Sequence, residues 1–328
     1  MQELSVLLVG GGVMGRNHLR VLTRLGGVKV DAVVDPQTGV EDYGDLHDVA
    51  ASIDDLDLRN FDLAIVATPT ATHEEVALQL LKSGIHLLVE KPLAHNFEAA
   101  ERLSSLAIDY DLVGAVGHIE RFNPAIVELK ARLDEGIIGT VYQVCTIRRG
   151  AFPSRIRDVG VARDLATHDT DITSWLTGLG YDRIHGEVLS VAGSRHEDFL
   201  VASGRLRGEV IFSHVVNWMS PIKERKIFVY GSEGLLMADT VQANLTLYES
   251  KIWPDMWDNY QNFRGIAEGN ITNFAFPRKE ALEQELTGFV NAVTSNGVDF
   301  VSFAEGAEAV RVSEAMIASS KYGHVVTL

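Results

Sequence analysis

The first third of the chain alternates apolar runs with segments of helical periodicity. The apolar runs, each of strand length, lie at residues 5–9, 29–34, 62–67, 85–89 and 112–116. Between them, residues 73–83 and 97–108 repeat apolar positions three and four apart, which is the period of a helix that buries one face. Because strands and helices alternate, the pattern predicts an α/β domain, a parallel sheet with helices on both faces.

The pattern changes near residue 140, where strand-length runs follow one another with short turns. These runs lie at 141–147, 188–192, 209–216, 226–230 and 235–238. Successive strands predict an open, mainly antiparallel sheet, so the second domain is expected to be α+β. The segment 250–278 is rich in Trp, Asn and Asp and is expected to be irregular, and two helices are predicted at 279–294 and 303–320.

A glycine-rich loop follows the first apolar run. Gly10, Gly12 and Gly15 form the pattern G-x-G-x-x-G directly after a predicted strand. In dinucleotide-binding folds these glycines make the tight turn, let the backbone approach a pyrophosphate and let the next helix pack closely. The phosphates would then lie on the N–H groups at the start of that helix, near Val13 and Met14.

An acidic residue ends the second predicted strand. Asp35 lies 20 residues after Gly15, where a carboxylate can accept hydrogen bonds from the ribose hydroxyls of adenosine. Pro36 and Gln37 follow it and no arginine is adjacent, so a 2′-phosphate would meet an uncompensated carboxylate. The sequence therefore predicts NAD rather than NADP.

These observations predict two domains. Residues 1–120 would form a Rossmann domain that binds NAD. Residues 121–328 would form the second, α+β domain, with the final helices able to pack back on the first domain.

Charged residues end the strand predicted at 85–89. Glu90, Lys91 and Pro92 would stand at the carboxyl edge of the sheet, where open α/β proteins bind their ligands. A lysine at this edge can reach a bound nicotinamide and a substrate. The alternative is a solvated charge pair at a strand end.

A second group of polar residues lies on a helix predicted near residue 170. Asp164 and His168 are four residues apart and would project from one face, which Asp171 and Trp175 continue. A carboxylate one turn from an imidazole can orient it for removing a proton from an alcohol. The alternative is a helix N-cap at Asp164 with a structural histidine. A metal site made by His168, Asp169 and Asp171 is disfavoured because those side chains point around the helix.

Arginines are concentrated just before this helix. Five of them fall within sixteen residues of a chain that is otherwise acidic: Arg148, Arg149, Arg155, Arg157 and Arg163. Guanidinium groups bind phosphates or carboxylates by bidentate hydrogen bonds, so the cluster indicates an anionic ligand. The alternative is a set of salt bridges between domains or subunits.

The composition excludes several classes of partner. With 328 residues, of which 46% are hydrophobic, the chain is long enough for two domains with cores. A net charge of −16 argues against nucleic acid or an anionic membrane as partner. Apolar stretches are too short to cross a bilayer, and the acidic start does not resemble a signal peptide. The single Cys145 cannot form an intrachain disulfide, is expected in the core, and suits the cytoplasm.

Together these motifs resemble the Gfo/Idh/MocA family, named after glucose-fructose oxidoreductase and inositol dehydrogenase. The resemblance covers essentially the whole chain and is carried by residues 9–18, 67–70 with His73, 90–92, and Asp164 with His168. It implies a Rossmann domain and a C-terminal domain, residues 121–328, that binds substrate and makes subunit contacts through its open sheet. It also implies that Lys91 lies near the nicotinamide before a cis proline, and that Asp164 and His168 are catalytic.

The motifs and the resemblance together give two sets of expected binding residues, and no metal ligand is expected. The expected cofactor contacts are Gly10, Gly12, Val13, Met14, Gly15, Asp35, Thr68, Pro69, His73, Glu90 and Lys91. The expected substrate contacts are Arg121, Asn123, Arg149, Arg155 and Arg157.

Segments 117–124 and 149–161 are similar to the branch of the family that oxidises the 3-hydroxyl of UDP-N-acetylglucosamine or its uronate. The arginines would supply cations for the diphosphate of such a substrate. Residues 158–163 differ from the glycine-rich segment that precedes Asp-x-x-x-His in many members, so the shape of the substrate pocket is left open.

The expected reaction is therefore NAD-dependent oxidation of a secondary alcohol of a sugar, at C3 of a UDP-N-acetylhexosamine or its uronate. His168 would remove the hydroxyl proton, Asp164 would orient it, and Lys91 would stabilise the alkoxide, or Lys91 and His168 would exchange roles. The alternatives are an inositol or free-sugar dehydrogenase, a ketosugar reductase, and a non-catalytic NAD sensor. A homodimer or homotetramer through the C-terminal sheet is expected.

Overall fold

The structure is a computed structural model, which describes residues 3–37, 48–153, 159–193, 195–251, 267–295, 297 and 299–328. Contacts divide the chain into two compact units. The first comprises Met1–Phe122 and Glu280–Glu314, and the second comprises Asn123–Lys279 and Ala315–Leu328.

The helices in the described part of the chain are α1 (Val13–Leu22), α2 (Thr70–Lys82), α3 (Phe97–Asp109), α4 (Pro124–Asp134), α5 (Thr167–Thr177), α6 (Ala281–Ser295) and α7 (Phe303–Tyr322). Helix α6 belongs to the first unit, and α7 contributes residues to both units. None of these described helices is both long and apolar enough to span a membrane.

A parallel sheet forms the centre of the first unit. Its strands are β1 (Leu4–Val9), β2 (Val28–Val34), β3 (Asp48–Ala50), β4 (Leu63–Val66), β5 (His86–Glu90) and β6 (Gly114–Gly117). They pair in parallel in the order β3-β2-β1-β4-β5-β6. The predicted Rossmann-type α/β fold is confirmed, and the direction of chain progression reverses between β1 and β4, where such sheets bind ligands.

Alternate residues of these strands enter two separate cores. On β1, Leu7 and Val9 pack with apolar residues of α2 and α3. Val6 and Leu8 face the other side, where they pack with residues of α1 and α6. A sheet covered on both faces requires nearly continuous apolar strands, which explains the unbroken apolar runs of the sequence.

A larger sheet forms the second unit. Its strands are β7 (Val141–Arg149), β8 (Tyr181–Leu189), β9 (Phe199–Leu206), β10 (Ile211–Asn217), β11 (Glu224–Gly231), β12 (Gly234–Asp239), β13 (Asn244–Lys251), β14 (Ala267–Asn273) and β15 (Val326–Thr327). They follow the order β14-β13-β12-β11-β7-β10-β9-β8-β15. The β7–β10 pair is parallel and the other described pairs are antiparallel, which confirms the expected mainly antiparallel sheet.

Helices α4 and α5 cover one face of this second sheet, where Ile126 and Ile172 pack against Val144. The opposite face carries half-buried and exposed side chains, among them Val201 and Ile211. Cys145 lies between two buried residues of β7 and is itself only half-buried, so its expected place in the core is wrong. Strand alternation explains the difference, because successive side chains point to opposite faces.

Two sequence-based expectations for the second unit were wrong. Of the strand expected at 188–192, only Val188 and Leu189 are in a strand, as the end of β8, which begins at Tyr181. Strand β9 was not among the examples named from the sequence. The segment 250–278 is not irregular throughout, since it contains β14, which pairs with β13. The sequence of β14 is polar and contains a glycine, so its strand conformation depends on pairing with β13 rather than on intrinsic propensity.

Candidate active site

The glycine loop connects β1 to α1. Gly10 has a φ of +99°, and a Cβ there would lie 2.5 Å from the carbonyl oxygen of Ala67. A Cβ on Gly15 would lie 1.8 Å from the carbonyl oxygen of Gly10, whereas one on Gly12 would meet nothing within 4 Å. The fold itself thus requires Gly10 and Gly15, and the open side of Gly12 leaves room for a molecule that approaches the backbone closely.

Asp35 lies next to this loop, directly after β2. Its Oδ2 accepts a hydrogen bond from the Gly11 N–H at 2.7 Å, and its Oδ1 accepts one from the Gln37 N–H at 2.8 Å. A carboxylate offers about four acceptor positions, so Asp35 can still accept bonds from ribose hydroxyls. Among the described side chains none caps the N-terminus of α1 at Gly12, which leaves N–H groups for a phosphate. These residues fit a dinucleotide.

Glu90 ends β5 as a buried carboxylate. Its Oε1 lies 2.8 Å from Nε2 of His18 on α1, and its Oε2 accepts a bond from the Lys91 N–H at 3.3 Å. Burial raises the pKa of Glu90, but the hydrogen bond with His18 and the charges of His18, Lys91 and His73 outweigh it and hold the pKa below its usual range. The peptide bond between Lys91 and Pro92 is cis, as the resemblance implied.

Two loops meet at His73, which lies in the first turn of α2. Its Nδ1 lies 2.9 Å from the carbonyl oxygen of Pro92, and its Nε2 lies 2.9 Å from that of Thr68. Thr68 and Pro69 follow β4, while Pro92 follows β5. The residues expected to contact the cofactor therefore lie at the carboxyl ends of four parallel strands, β1, β2, β4 and β5.

Asp164 and His168 lie in the second unit, on different kinds of helix. Asp164 is in a single turn of π-helix, Ala162–Ala166, and His168 is in the first turn of α5. Both residues are buried. The expected helix is present, but it is not a regular α-helix through both residues. The Thr167 hydroxyl donates to the Arg163 carbonyl at 2.9 Å, the carbonyl that a regular α-helix would pair with the Thr167 N–H. π-Turns of this kind are frequent at functional sites.

A buried ion pair attaches α5 to the sheet of the second unit. Nε of Arg148, on β7, lies 3.1 Å from Oδ2 of Asp169, and both side chains are almost wholly buried. Asp169 is adjacent to His168, so this pair fixes the helix turn that carries the histidine. Among the described residues, no three His, Cys, Asp or Glu side chains are grouped so as to hold a metal ion.

A buried histidine, His214, lies on the strand next to β7. Its Nδ1 lies 2.8 Å from the Thr146 hydroxyl, and its Nε2 lies 2.8 Å from the Tyr181 hydroxyl. Burial, reinforced by the charge of Arg148, lowers the pKa of His214 to about 3. Hydroxyl groups can donate or accept, so both contacts are compatible with a neutral ring.

The first two expected substrate residues are bonded within their own units. Arg121 lies in a short 3₁₀-turn and donates to Glu305 at 2.8 Å. Asn123 caps α4 by accepting a bond from the Ala125 N–H at 3.0 Å, and it donates to the Thr240 carbonyl at 3.2 Å. These bonds give both residues a structural task in addition to any contact with substrate.

The remaining expected substrate residues are arginines at or beyond the end of β7. Arg149 is half-exposed and donates from Nε to Glu224 of β11 at 2.6 Å. Arg155 and Arg157 lie outside the described residues. The arginine cluster is therefore divided, because Arg148 faces the buried Asp169 while Arg149 points to the opposite side of the strand.

The contacts of His18, Arg148 and Asp169 were not expected from the sequence. One signal was available for His18, since a glutamate that ends a buried apolar strand requires a partner in the interior. The sequence did not indicate which residue would supply that partner, because His18 and Glu90 are 72 positions apart.

Comparison with known proteins identifies the fold and the family. The profile of the family described as "Oxidoreductase family, NAD-binding Rossmann fold" matches residues 4–118, and that of the GFO/IDH/MocA C-terminal domain matches residues 126–237. The chain belongs to the Gfo/Idh/MocA oxidoreductase family. Its first unit is accordingly an NAD-binding Rossmann domain, as the sequence predicted.

Three similar relatives are dehydrogenases. The chain is 33% identical over 190 residues to inositol 2-dehydrogenase 2 of Saccharopolyspora erythraea, an alignment that spans 53% of this chain and about half, 54%, of that protein. It is 28% identical to inositol 2-dehydrogenase 4 of the same organism, over 98% of this chain and 95% of that one. It is 33% identical to UDP-N-acetylglucosamine 3-dehydrogenase of Acidithiobacillus ferrooxidans, over 90% of each chain.

A solved structure of UDP-N-acetylglucosamine 3-dehydrogenase from Acidithiobacillus ferrooxidans superposes on this chain with a TM-score of 0.84. The superposition covers 98% of this chain and 99% of the other, with 23% sequence identity. The likeness shows that the two proteins share a fold over their whole length.

Two substitutions in the glycine loop separate folding from cofactor binding. Gly15→Ala should lower the free energy of unfolding by about 1–3 kcal/mol or more, because its methyl group overlaps the Gly10 carbonyl. Gly12→Ala should fold normally yet bind NADH at least about tenfold more weakly, since the methyl group occupies the side that a pyrophosphate approaches. Chemical denaturation and fluorescence titration with NADH measure both effects. Wild-type NADH affinity in Gly12→Ala would contradict the assignment of the glycine loop as the binding site of the pyrophosphate.

A second pair of variants tests the buried ion pair. Asp169→Asn should lower the free energy of unfolding by about 3–5 kcal/mol, because it removes the carboxylate that faces a buried guanidinium group. The double variant Arg148→Met with Asp169→Leu should recover most of this loss. Asp134→Asn is the matched control, since its partner Lys130 holds it in an exposed pair that contributes less than about 1 kcal/mol. If Asp169→Asn and Asp134→Asn lowered the free energy of unfolding equally, the assignment of a buried ion pair between Arg148 and Asp169 would be refuted.

Proposed function

We propose that this chain is an NAD-dependent dehydrogenase that oxidises the 3-hydroxyl of a UDP-N-acetylhexosamine or its uronate. The observation that carries the proposal is the 33% identity to a UDP-N-acetylglucosamine 3-dehydrogenase over 90% of both chains. The arginines that follow β7 support it, because the diphosphate of a nucleotide sugar requires cations.

The proposed chemistry assigns one task to each of three side chains. His168 removes the proton of the substrate hydroxyl, and Asp164 orients His168 and stabilises its charge after the transfer. Lys91 donates a hydrogen bond to the developing alkoxide, or exchanges the proton-transfer role with His168. Bound NAD supplies the acceptor for the hydride that leaves the same carbon.

The proposal includes NAD rather than NADP as the cofactor. The Asp35 carboxylate adjoins the glycine loop and is held by two backbone N–H groups. It can accept bonds from the 2′- and 3′-hydroxyls of ribose, but it would repel a 2′-phosphate. Asp35 thereby selects the cofactor by charge.

Cytoplasmic location and assembly as a homodimer or homotetramer are also part of the proposal. The second sheet supports assembly, because the face opposite α4 and α5 leaves Val201, Ile211 and Tyr230 between 39% and 53% exposed. Ile211 and Tyr230 flank Gln143 of β7 in the sheet, and exposed apolar side chains on an uncovered face are typical of an interface.

An inositol dehydrogenase is the second candidate. It is favoured by inositol 2-dehydrogenase 4, which aligns with 98% of this chain at 28% identity. The two candidates differ in one requirement: a cyclic polyol carries no charge, so an inositol dehydrogenase needs no cluster of arginines at its substrate site.

The proposed catalytic groups can be tested individually. Lys91→Met and His168→Ala should each lower kcat roughly a hundredfold or more, while the affinity for NADH stays within about twofold, because each group acts in proton transfer. Lys82→Met, at the exposed end of α2, is the control and should keep wild-type turnover. Steady-state kinetics and NADH titration provide the readouts. Wild-type turnover in either variant would remove that residue from the mechanism.

The substrate can be tested with a panel that contains UDP-N-acetylglucosamine, its uronate and inositols. Arg155→Ala and Arg157→Ala should weaken nucleotide-sugar binding roughly ten- to a hundredfold, because each loses a charge-assisted bond of about 1.5–3 kcal/mol. Arg183→Ala, on β8, is the control and should bind normally. Melting curves and gel filtration reveal any loss of folding or assembly. Unchanged binding of every UDP-sugar, together with loss of assembly, would overturn the nucleotide-sugar assignment in favour of the inositol candidate.

A further inference from the structure

The ring of His73 is buried between two loops, and both of its nitrogens face oxygens that can only accept hydrogen bonds. Nδ1 lies 2.9 Å from the carbonyl oxygen of Pro92, and Nε2 lies 2.9 Å from that of Thr68. The residue is only 1% exposed. The ring is therefore shielded from solvent and has a carbonyl oxygen within hydrogen-bond distance of each nitrogen.

A neutral imidazole cannot satisfy both contacts. It carries one N–H, so its second nitrogen would present a lone pair to a carbonyl lone pair at hydrogen-bond distance. A doubly protonated ring donates to both carbonyls, and charge-assisted bonds of this kind are the stronger ones. His214 provides the contrast, because its partners are hydroxyl groups that can donate to a neutral ring.

A buried cation also needs negative charge nearby. The buried carboxylate of Glu90 supplies it, because Glu90 ends β5 two residues before Pro92, whose carbonyl faces His73. The other titratable groups around this carboxylate are His18 from α1 and Lys91 from the loop after β5. On α2 itself, Glu74 follows His73 and pairs with Arg102 of α3 and with His95.

We propose that His73 is a buried imidazolium ion that joins the loop after β4 to the loop after β5 and thereby positions Lys91. Pro92, whose carbonyl it holds, is the next residue after Lys91. Thr68, whose carbonyl it also holds, belongs to the loop expected to contact the cofactor. His73 is thus a positioning residue that acts through two backbone carbonyls. The link to Lys91 rests on the function proposed above, whereas the charge of the ring does not.

The charge is tested by NMR of the whole protein labelled with ¹⁵N-histidine. The spectra are recorded at a pH about one unit above the ordinary histidine pKa of about 6.5. We expect two protonated ring nitrogens for His73 and one for His214, which serves as the internal control. Assignment through backbone resonances makes this test independent of whether a His73 variant folds. A ring of His73 with a single protonated nitrogen would overturn the proposal.

The positioning role is tested with His73→Gln. Its amide can donate through the nitrogen to one carbonyl but presents an oxygen to the other. We expect kcat per folded enzyme to fall at least about tenfold, while KM for NAD changes less than about threefold. This is the pattern expected when Lys91 is displaced from its place near the reacting atoms. His86→Gln is the matched control: His86 lies at the opposite end of β5, accepts a bond from the Val113 N–H, and should keep wild-type kcat.

The outcomes separate this inference from the proposed function. Unchanged kcat in His73→Gln, beside an imidazolium signal, would overturn the positioning role. If His73→Gln does not fold, addition of imidazole to His73→Gly provides the second measurement, and failure of imidazole to raise kcat would overturn it. Failure of the wild-type protein to oxidise any sugar or polyol would instead refute the proposed function, and the NMR result would still decide the charge.

Discussion

Parallel pairing of the first sheet is the constraint on which the candidate cofactor site depends. Because β1, β2, β4 and β5 run in the same direction, the segments that follow them emerge at one edge of the sheet. This edge brings together Gly10, Asp35, Thr68 and Glu90, which are far apart in the sequence. The reversal of strand order between β1 and β4 separates the flanking loops at that edge. The site is thus a property of sheet topology first and of individual side chains second.

Buried charges then fix the details within each unit. In the first unit, Glu90 at the end of β5 is held by His18 of α1, which ties the glycine-loop helix to the segment that carries Lys91. In the second, Arg148 and Asp169 tie β7 to α5 beside His168. Removing a charge from water costs more than a typical pair returns, so such pairs contribute little net stability. We interpret them as selecting one arrangement of the elements that carry the candidate catalytic groups.

Three buried histidines show how the hydrogen-bond partners of an imidazole limit the protonation states that it can adopt. His18 faces a carboxylate, His73 faces two carbonyl groups, and His214 faces two hydroxyl groups. A carbonyl requires a donor, whereas a hydroxyl adapts to either role, so the partners favour the doubly protonated ring that we propose for His73 and allow a neutral ring at His214. At His214, burial lowers the pKa of the ring and favours this neutral form. The charge that we propose for His73 follows from the chemistry of its partners rather than from its burial.

The sequence by itself determined the two-sheet architecture, the glycine loop and the acidic residue that ends β2, because apolar periodicity and turn chemistry are local. It also placed Lys91 at a strand end, for the same reason. Only the tertiary structure decided the strand conformation of β14, the π-turn at Asp164 and the partners of His18 and His73. Each of these depends on a contact with a residue outside its own element or on a competing side-chain hydrogen bond. Local patterns carry no information on such partners, since the free energy that selects them arises only when distant segments pack together.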